Sequence, residues 1–452
     1  MHHRLSIFAG AALLVTGWLG ARSAAAGEVA APPAAWAEVP RILARITPPQ
    51  FPTREFLVTR FGAVGDGTHD CTEAFRKAIA ACHSAGGGRV VVPPGKFLTG
   101  AIHLQSGVNL HLEAGATILF STDPNRFLPV VFVRDVAECM NYSPFIYALG
   151  QTNIAVTGEG MLDGQASRSV WPDFVARSKP DVERLIQMGN QDVPVARRIF
   201  GPGHFIRPNF IVLARCRNVL LEGVRIVDSP AWEIQPLYCT NVTVRGVRIA
   251  SHGKNNDGCD PDSSREVLIE NCTFDTGDDC IAIKAGRDHD GRRVNLPSED
   301  IVIRHCLFKA GHGGVTVGSE TAGGIRNVFV ENCEFDSPDL DMAFRFKTDS
   351  TRGGFIRDVY IRDCLVKKAR TGIHLTMNYS KNPNGRHIPI VRDIDIRDCQ
   401  FEELLRQPIF IEGLSAAAPV TDVTIAHCRF PPAAGENFIT NAMRIHLTGN
   451  TP

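Results

Sequence analysis

The 452-residue chain contains no CxxC pair and no HExxH, which removes the usual marks of a structural zinc site, a dithiol redox centre and a zinc peptidase. It has no excess of charge of either sign: 48 Lys and Arg balance 48 Asp and Glu. Broad attraction to nucleic acid or to an anionic membrane is therefore not encoded, although a neutral total leaves room for a local basic groove. Beyond residue 26 no apolar run reaches the roughly 20 residues that a membrane-spanning helix needs. Helical periodicity is sparse, and the Leu-rich consensus of a half-helical solenoid is missing. The glycines of GAVGDG at 62–67 do not fit GxGxxG, so no phosphate loop is indicated.

What is present starts at the amino terminus. Arg4, an apolar stretch over residues 5–19 and the small residues Ala24, Ala25 and Ala26 have the layout of a secretory signal peptide cleaved after Ala26. Residues 27–50, rich in Ala and Pro, are expected to form a linker or loose arm, leaving 51–452 as one domain. The protein is then expected to be exported, to the periplasm or the medium, with no membrane span once the signal is removed.

A repeat fills the domain. VLIENCTF from Val267, IVIRHCLF from Ile301, VFVENCEF from Val328, VYIRDCLV from Val359, IDIRDCQF from Ile394 and VTIAHCRF from Val423 share apolar residues at their first and third places and Cys at the sixth. VLLEGVRI from Val219 and VTVRGVRI from Val242 carry Val in place of Cys. Short alternating strands with Asn, Asp and Gly turns, repeating every 23 to 35 residues, indicate an all-β fold, a single-stranded parallel β-helix. Its rungs lie roughly 4.8 Å apart, so equivalent inward residues stack. Cys272, Cys306, Cys333, Cys364, Cys399 and Cys428 then form a ladder of small apolar side chains, with β-carbons too far apart for the roughly 3.8 Å of a disulfide. Cys71, Cys82, Cys139, Cys216, Cys239, Cys259 and Cys280 remain free to supply a bridge. An open end of such a coil has to be covered. DCTEAFRKAIAACHSAGGG, with Asp70 and Glu73 at capping-box spacing, predicts an N-terminal capping helix that ends at Gly86–Gly88.

Chemistry-bearing residues recur at the same period. Asp257 and Asp279 are 22 residues apart, Asp279 and His312 33, His312 and Arg345 33, and Lys347 and Tyr379 32. Each interval is about one rung, so the groups line up along one groove. Arg345 and Lys347, two apart, share a strand face. The adjacent Asp278 and Asp279 need a bend or bulge. Three close carboxylates resist simultaneous ionisation, so one keeps its proton. A proton donor beside ionised partners is what glycosidic cleavage requires, and the two cations suit a carboxylated sugar.

The ordered set NNDGCD at 255–260, GDDCIAIK from Gly277, GHGGVTVGS from Gly311 and RFKT from Arg345 resembles the four motifs of the polygalacturonases, glycoside hydrolase family 28. The resemblance covers about residues 56–379. It implies a right-handed parallel β-helix that hydrolyses α-1,4-galacturonosidic bonds with inversion, without metal or cofactor. By position it implies Asp278 as general acid, Asp257 and Asp279 as the pair activating water, and His312 as support for their protonation state. Arg345 and Lys347 would grip the substrate carboxylate, with Tyr379 as a wall. Gln235, in WEIQP, stands where similar bacterial enzymes often have His, and is expected on the substrate-binding rung. The insertion at 286–299 brings Arg287, Arg292 and Arg293 near the groove and resembles bacterial exo-acting members, implying a loop that walls one end of the cleft. The implied partner is an acidic polysaccharide or oligosaccharide such as pectin, with no nucleic acid. A rhamnogalacturonan-type hydrolase is the nearest rival. A calcium-dependent pectate lyase and a non-catalytic glycan-binding β-helix are the other readings.

Overall fold

The computed structural model describes residues 34–382, 385–432 and 435–452; the signal-like residues 1–26 and the first part of the expected linker lie outside them. From residue 34 the chain is a right-handed parallel β-helix. Its two longest sheets have 14 and 11 strands, and a third face is built from sheets of four and six strands. Parallel bridges Ile234↔Cys259↔Ile281 and Leu237↔Asp262↔Lys284 carry that third face across the gap between its two sheets.

The rungs stack in the register of the repeats. Val219, Val242, Val267, Ile301, Val328, Val359, Ile394 and Val423 stand opposite one another in successive strands. The column runs one rung further each way, to Ile154 and Ile445. The turn residue ahead of each Cys sets the corner: Asn271, Asn332, Asp363 and Asp398 have φ of 52–56°. Asn and Asp enter this left-handed region at least cost because their short polar side chains bond locally. At another corner the amides stack as a ladder, Asn241 Nδ2 donating to Asn218 Oδ1 and Asn218 Nδ2 to Asn153 Oδ1, both at 2.9 Å. Inside, Phe308 stacks on Phe274 and Phe335 at 5.6 and 4.6 Å between ring centroids. All thirteen cysteines are buried and free, so the six of the ladder behave as core and the other seven supply no bridge.

Among the described residues five α-helices decorate the coil. Helix α1 (Glu38–Arg45) belongs to the segment read as a linker, and that segment is docked instead of loose. Trp36, Val39, Ile42 and Ile46 bury themselves against outward-facing Leu268, Val302 and Phe329 of the longest sheet, and Arg45 pairs with Asp300 at 2.8 Å. Its three- and four-residue apolar spacing is helical, and the Ala and Pro content around it masked that signal.

Helix α2 (Thr72–Ser84) is the expected cap, burying Ala74, Phe75, Ala78, Ile79 and Cys82 over the first rungs. The capping box does not form. Asp70 accepts from Thr72 N at 3.0 Å, one residue outside the box position, while Glu73 turns to Arg76. Helices α3 (Trp171–Arg177) and α4 (Lys179–Asn190), each with Pro in its first turn, form an excursion that the sparse helical periodicity did not announce. Helix α5 (Asp288–Val294) lies within the 286–299 insertion. An antiparallel hairpin of strands Val131–Arg134 and Glu138–Asn141 joins α4 and α5 at one end of the cleft.

Trp36→Ala is expected to cost about 3–5 kcal/mol, as for other buried Trp truncations. A lowered unfolding midpoint, with new proteolytic cleavage within 34–50, is the measurement; an unchanged midpoint would show the helix contributes nothing.

Candidate active site

The acidic and basic motifs meet on the third face. Asp257 precedes the bridging strand at Cys259, and its partner rungs carry the rest: Cys259↔Ile281, Ile281↔Val315, Val315↔Phe344 and Phe344↔Ile373. Asp278 and Asp279 sit in the bend between strands Thr273–Thr276 and Ile281–Ile283, as their adjacency requires. Oxygens from Asp257, Asp278 and Asp279 lie within 4.8 Å of one another.

Glycine makes this packing possible at two positions. A Cβ on Gly277 would stand 2.3 Å from Gly253 O, and one on Gly313 would stand 2.8 Å from Asp279 Oδ1 and 3.0 Å from Arg345 Cδ. Asn256 spends its whole amide on the turn ahead of Asp257. It accepts from Ser251 Oγ at 2.9 Å and donates to Ser229 O at 3.1 Å and Ala231 O at 3.0 Å.

The three carboxylates have different surroundings. Asp279 is fully buried between Lys347 Nζ at 2.6 Å and Arg345 Nη1 at 2.9 Å. Burial opposes its charge, yet these cations win and hold it below the ordinary carboxylate range. Asp257 is buried too, with Lys284 Nζ 3.2 Å away and Oδ1 without a hydrogen bond. Burial outweighs that ammonium, and Asp278 and Asp279 add repulsion, pushing Asp257 up to about 7. Asp278 is the exposed member, facing the cleft and accepting from His312 Nδ1 at 3.0 Å. That bond raises the imidazole's proton affinity against the cost of burial. Tyr379 lies beside the cations, its ring centroid 5.1 Å from Lys347 Nζ and 5.7 Å from Arg345 Cζ.

Seven of the eight residues singled out in the sequence converge here. Gln235 does not: its buried amide donates to Arg134 O at 3.2 Å and Asp262 Oδ2 at 3.3 Å and accepts from Asn209 at 2.9 Å. It holds the hairpin and does not line the cleft.

The sequence reading missed the buried layer beneath. Lys284 Nζ, 3.5 Å from Asp260 and 3.7 Å from Glu320 as well as near Asp257, lies 4.4 Å from the Trp232 ring centroid. Asp260 and Glu233 are fully buried, and none of their carboxyl oxygens has a hydrogen bond. Burial pushes both well up and the neighbouring Asp257 adds to it, while Lys284 opposes the shift at Asp260. Their signal was available: Lys284 ends GDDCIAIK, Asp260 ends NNDGCD and Glu233 sits in WEIQP.

Beside this cluster opens a cavity of about 580 Å³, lined by seven cationic side chains and four carboxyl groups. In a chain of zero net charge this is a local basic site for an anionic ligand. Asp257 and Asp278 stand on its floor; the hairpin, α3, α4 and Arg287 of the insertion wall it. Arg293 is tied to Asp290 at 3.0 Å, and Arg292 to the carbonyls of Thr351 and Arg352.

Residues 202–408 match the model of glycosyl hydrolases family 28, and residues 56–118 one described as rhamnogalacturonase A/epimerase, pectate lyase-like. The chain is 29% identical over 390 residues to a probable polygalacturonase of Vitis vinifera, spanning 83% of this chain and 74% of that protein. It is 28% identical over 352 residues to the exo-poly-alpha-D-galacturonosidase of Dickeya chrysanthemi, spanning 73% of this chain and 58% of that one. The solved exopolygalacturonase of Thermotoga maritima is 38% identical, with a TM-score of 0.86 over 92% of this chain and 96% of that chain. The chain belongs to glycosyl hydrolases family 28. As a family 28 chain it is a glycoside hydrolase of the polygalacturonase type. An exopolygalacturonase of Yersinia enterocolitica, 22% identical with a TM-score of 0.71, shares the fold.

Two predictions rest on the charges. Asp279→Asn strands Arg345 and Lys347 and should cost about 3–5 kcal/mol, read by denaturant unfolding. Asp257 keeps a proton when folded that an ordinary carboxyl, near 3.8, has lost when unfolded, so its contribution to stability falls as pH rises from 3.8 to about 7. Asp279 has the opposite sign: its contribution is present above the ordinary value and is lost as pH drops through its depressed one. Asp257→Asn should therefore gain in melting temperature on the parent as pH climbs through Asp257's window. A difference that is flat with pH would refute Asp257 as the proton holder.

Proposed function

We propose that this family 28 hydrolase cleaves α-1,4-galacturonosidic bonds from the end of polygalacturonate or oligogalacturonides, by inverting hydrolysis and outside the cytoplasm. The observation that carries the reading is the cavity: rich in cations, walled by the hairpin, α3, α4 and Arg287 of the insertion, with Asp257 and Asp278 among its lining. A cleft walled at one end takes a chain terminus and excludes a passing polymer, which favours exo over endo action. The signal-like residues 1–26 support export.

In this reading Asp278, the carboxyl that faces the cleft, protonates the leaving oxygen. As the sugar bond breaks, the Asp278 proton passes to the leaving oxygen and His312, hydrogen-bonded to that carboxyl, gives its own proton to Asp278 in replacement. Asp257 and Asp279 hold the attacking water, Asp279 as the fixed anion and Asp257 as the group that takes up its proton. Arg345 and Lys347 grip a substrate carboxylate, and Tyr379 bounds it. Lys284 tunes Asp257, since its ammonium is the cation that opposes burial there. The nearest oxygens of the cluster fall within 4.8 Å, shorter than the roughly 6.5–9.5 Å usual between carboxyl groups of inverting enzymes. Inversion therefore rests on the resemblance to the family, and proton NMR of the nascent anomer tests it.

Purified protein incubated with polygalacturonate, with and without chelator, should release saturated galacturonate alone from the first minutes, unaffected by chelator. Mixed oligomers would make it endo-acting; an unsaturated, chelator-sensitive product would make it a lyase. Asp278→Asn should abolish turnover while leaving the fold and much of the affinity for substrate. Lys284→Met should move the acidic limb of the pH–rate profile to higher pH, because Asp257 then loses its proton later. A profile that does not move would remove Lys284 from that role.

A further inference from the structure

The lining of the cavity includes a carboxylate, Asp135, that the hydrolytic cluster does not use. Asp135 sits at the tip of the hairpin, in a turn closed by Asp135 N donating to Ala137 O at 3.2 Å, and lines the cavity. Among the described residues its carboxylate has no ion pair, whereas the charged groups around it are committed. Arg134 is paired with buried Asp262, and Arg198 with Asp290 at 2.7 Å. Asp290 also accepts from Glu138 N at 2.9 Å, which fastens α5 to the hairpin. Arg207 spends its guanidinium on Pro230 O, Lys254 O and Asn255 Oδ1.

Arg287 keeps donors in hand: Nε bonds Asp288 at 3.2 Å, while its terminal nitrogens have no hydrogen bond among the described residues. The wall thus presents to the cavity a carboxylate without an ion pair among the described residues and a cation with unspent donors. Burial pushes the Asp135 carboxyl up, and the charges of Arg207 and Arg287 oppose this.

A carboxylate in a cavity meant for polyuronate repels the ligand unless it serves a specific contact. A chain end differs from an internal residue by one hydroxyl, which a carboxylate recognises by accepting its hydrogen bond. We propose that Asp135 and Arg287 form the chain-end recognition site. Asp135 accepts from the hydroxyl found only on the terminal uronate, and Arg287 pairs with that sugar's carboxylate. This rests on the exo-hydrolase reading and adds what makes the end, and not the interior, the substrate.

The test uses three trimers: trigalacturonate, the same trimer with a 4-deoxy-4,5-unsaturated ring at its non-reducing end, and the trimer reduced to an alditol at the other end. The parent protein should cleave the intact trimer about 10- to 100-fold faster, in kcat/KM, than one of the two altered trimers, the worth of a hydrogen bond to a charged group. Asp135→Ala should slow the intact trimer by that factor and leave the disfavoured trimer unchanged, so that the preference disappears. Arg287→Gln should slow all three trimers through KM. A preference that survives in Asp135→Ala, or an equal loss on every trimer, would overturn the proposal. A parent protein that releases galacturonate from polymer but shows no preference among trimers would overturn it while sparing the hydrolase reading. No release from any substrate would sink both.

Discussion

Hydrogen bonding between successive parallel rungs decides where every functional group stands, because it converts a separation of 22 to 35 residues along the chain into one strand spacing across it. Once Val267 pairs with Ile301 and Ile301 with Val328, no freedom is left in the third face, and Arg345 comes to lie beside Asp279, 66 residues away. The groups of the candidate site therefore need no dedicated scaffold. They are outward side chains of a coil whose inward side chains supply the stability, and a one-residue slip would exchange the two sets.

Much of this was legible because the coil is periodic. The repeats carried the strand register residue for residue, the Cys column was visible as core, and seven site residues fell at one-rung intervals. What was not legible depended on groups that follow no period. Gln235 lies on the right rung but is buried behind the wall, because Arg134 and Asp262 claim its amide. Lys284 and Glu233 looked like ordinary strand residues, since burial is what gives them their character. Helix α1 was hidden by composition, and Asp70 caps α2 from outside the expected box because Glu73 finds Arg76 on its own helix face.

The site shows how burial sorts like groups into different states. Three aspartates share a few ångströms, yet two cations keep Asp279 ionised, a single shared ammonium leaves Asp257 short of compensation, and access to the cleft leaves Asp278 beside His312. Beneath them burial pushes the carboxyls of Glu233 and Asp260 well up.

The unequal length of the repeats has its own consequence. Strand spacing is fixed by backbone bonding, so the 23-residue rung from Val219 to Val242 and the 65-residue rung from Ile154 to Val219 rise by the same step, and the surplus is expelled sideways at the corners. The hairpin, α3, α4 and α5 are such surplus. Lengthening or trimming one of them reshapes the mouth of the cleft without displacing Asp257, Asp278 or Asp279. The depth and closure of the cavity are thereby inherited separately from the chemistry, and a lineage built on this coil changes which part of a polymer it consumes by editing corners while its reaction centre stands still.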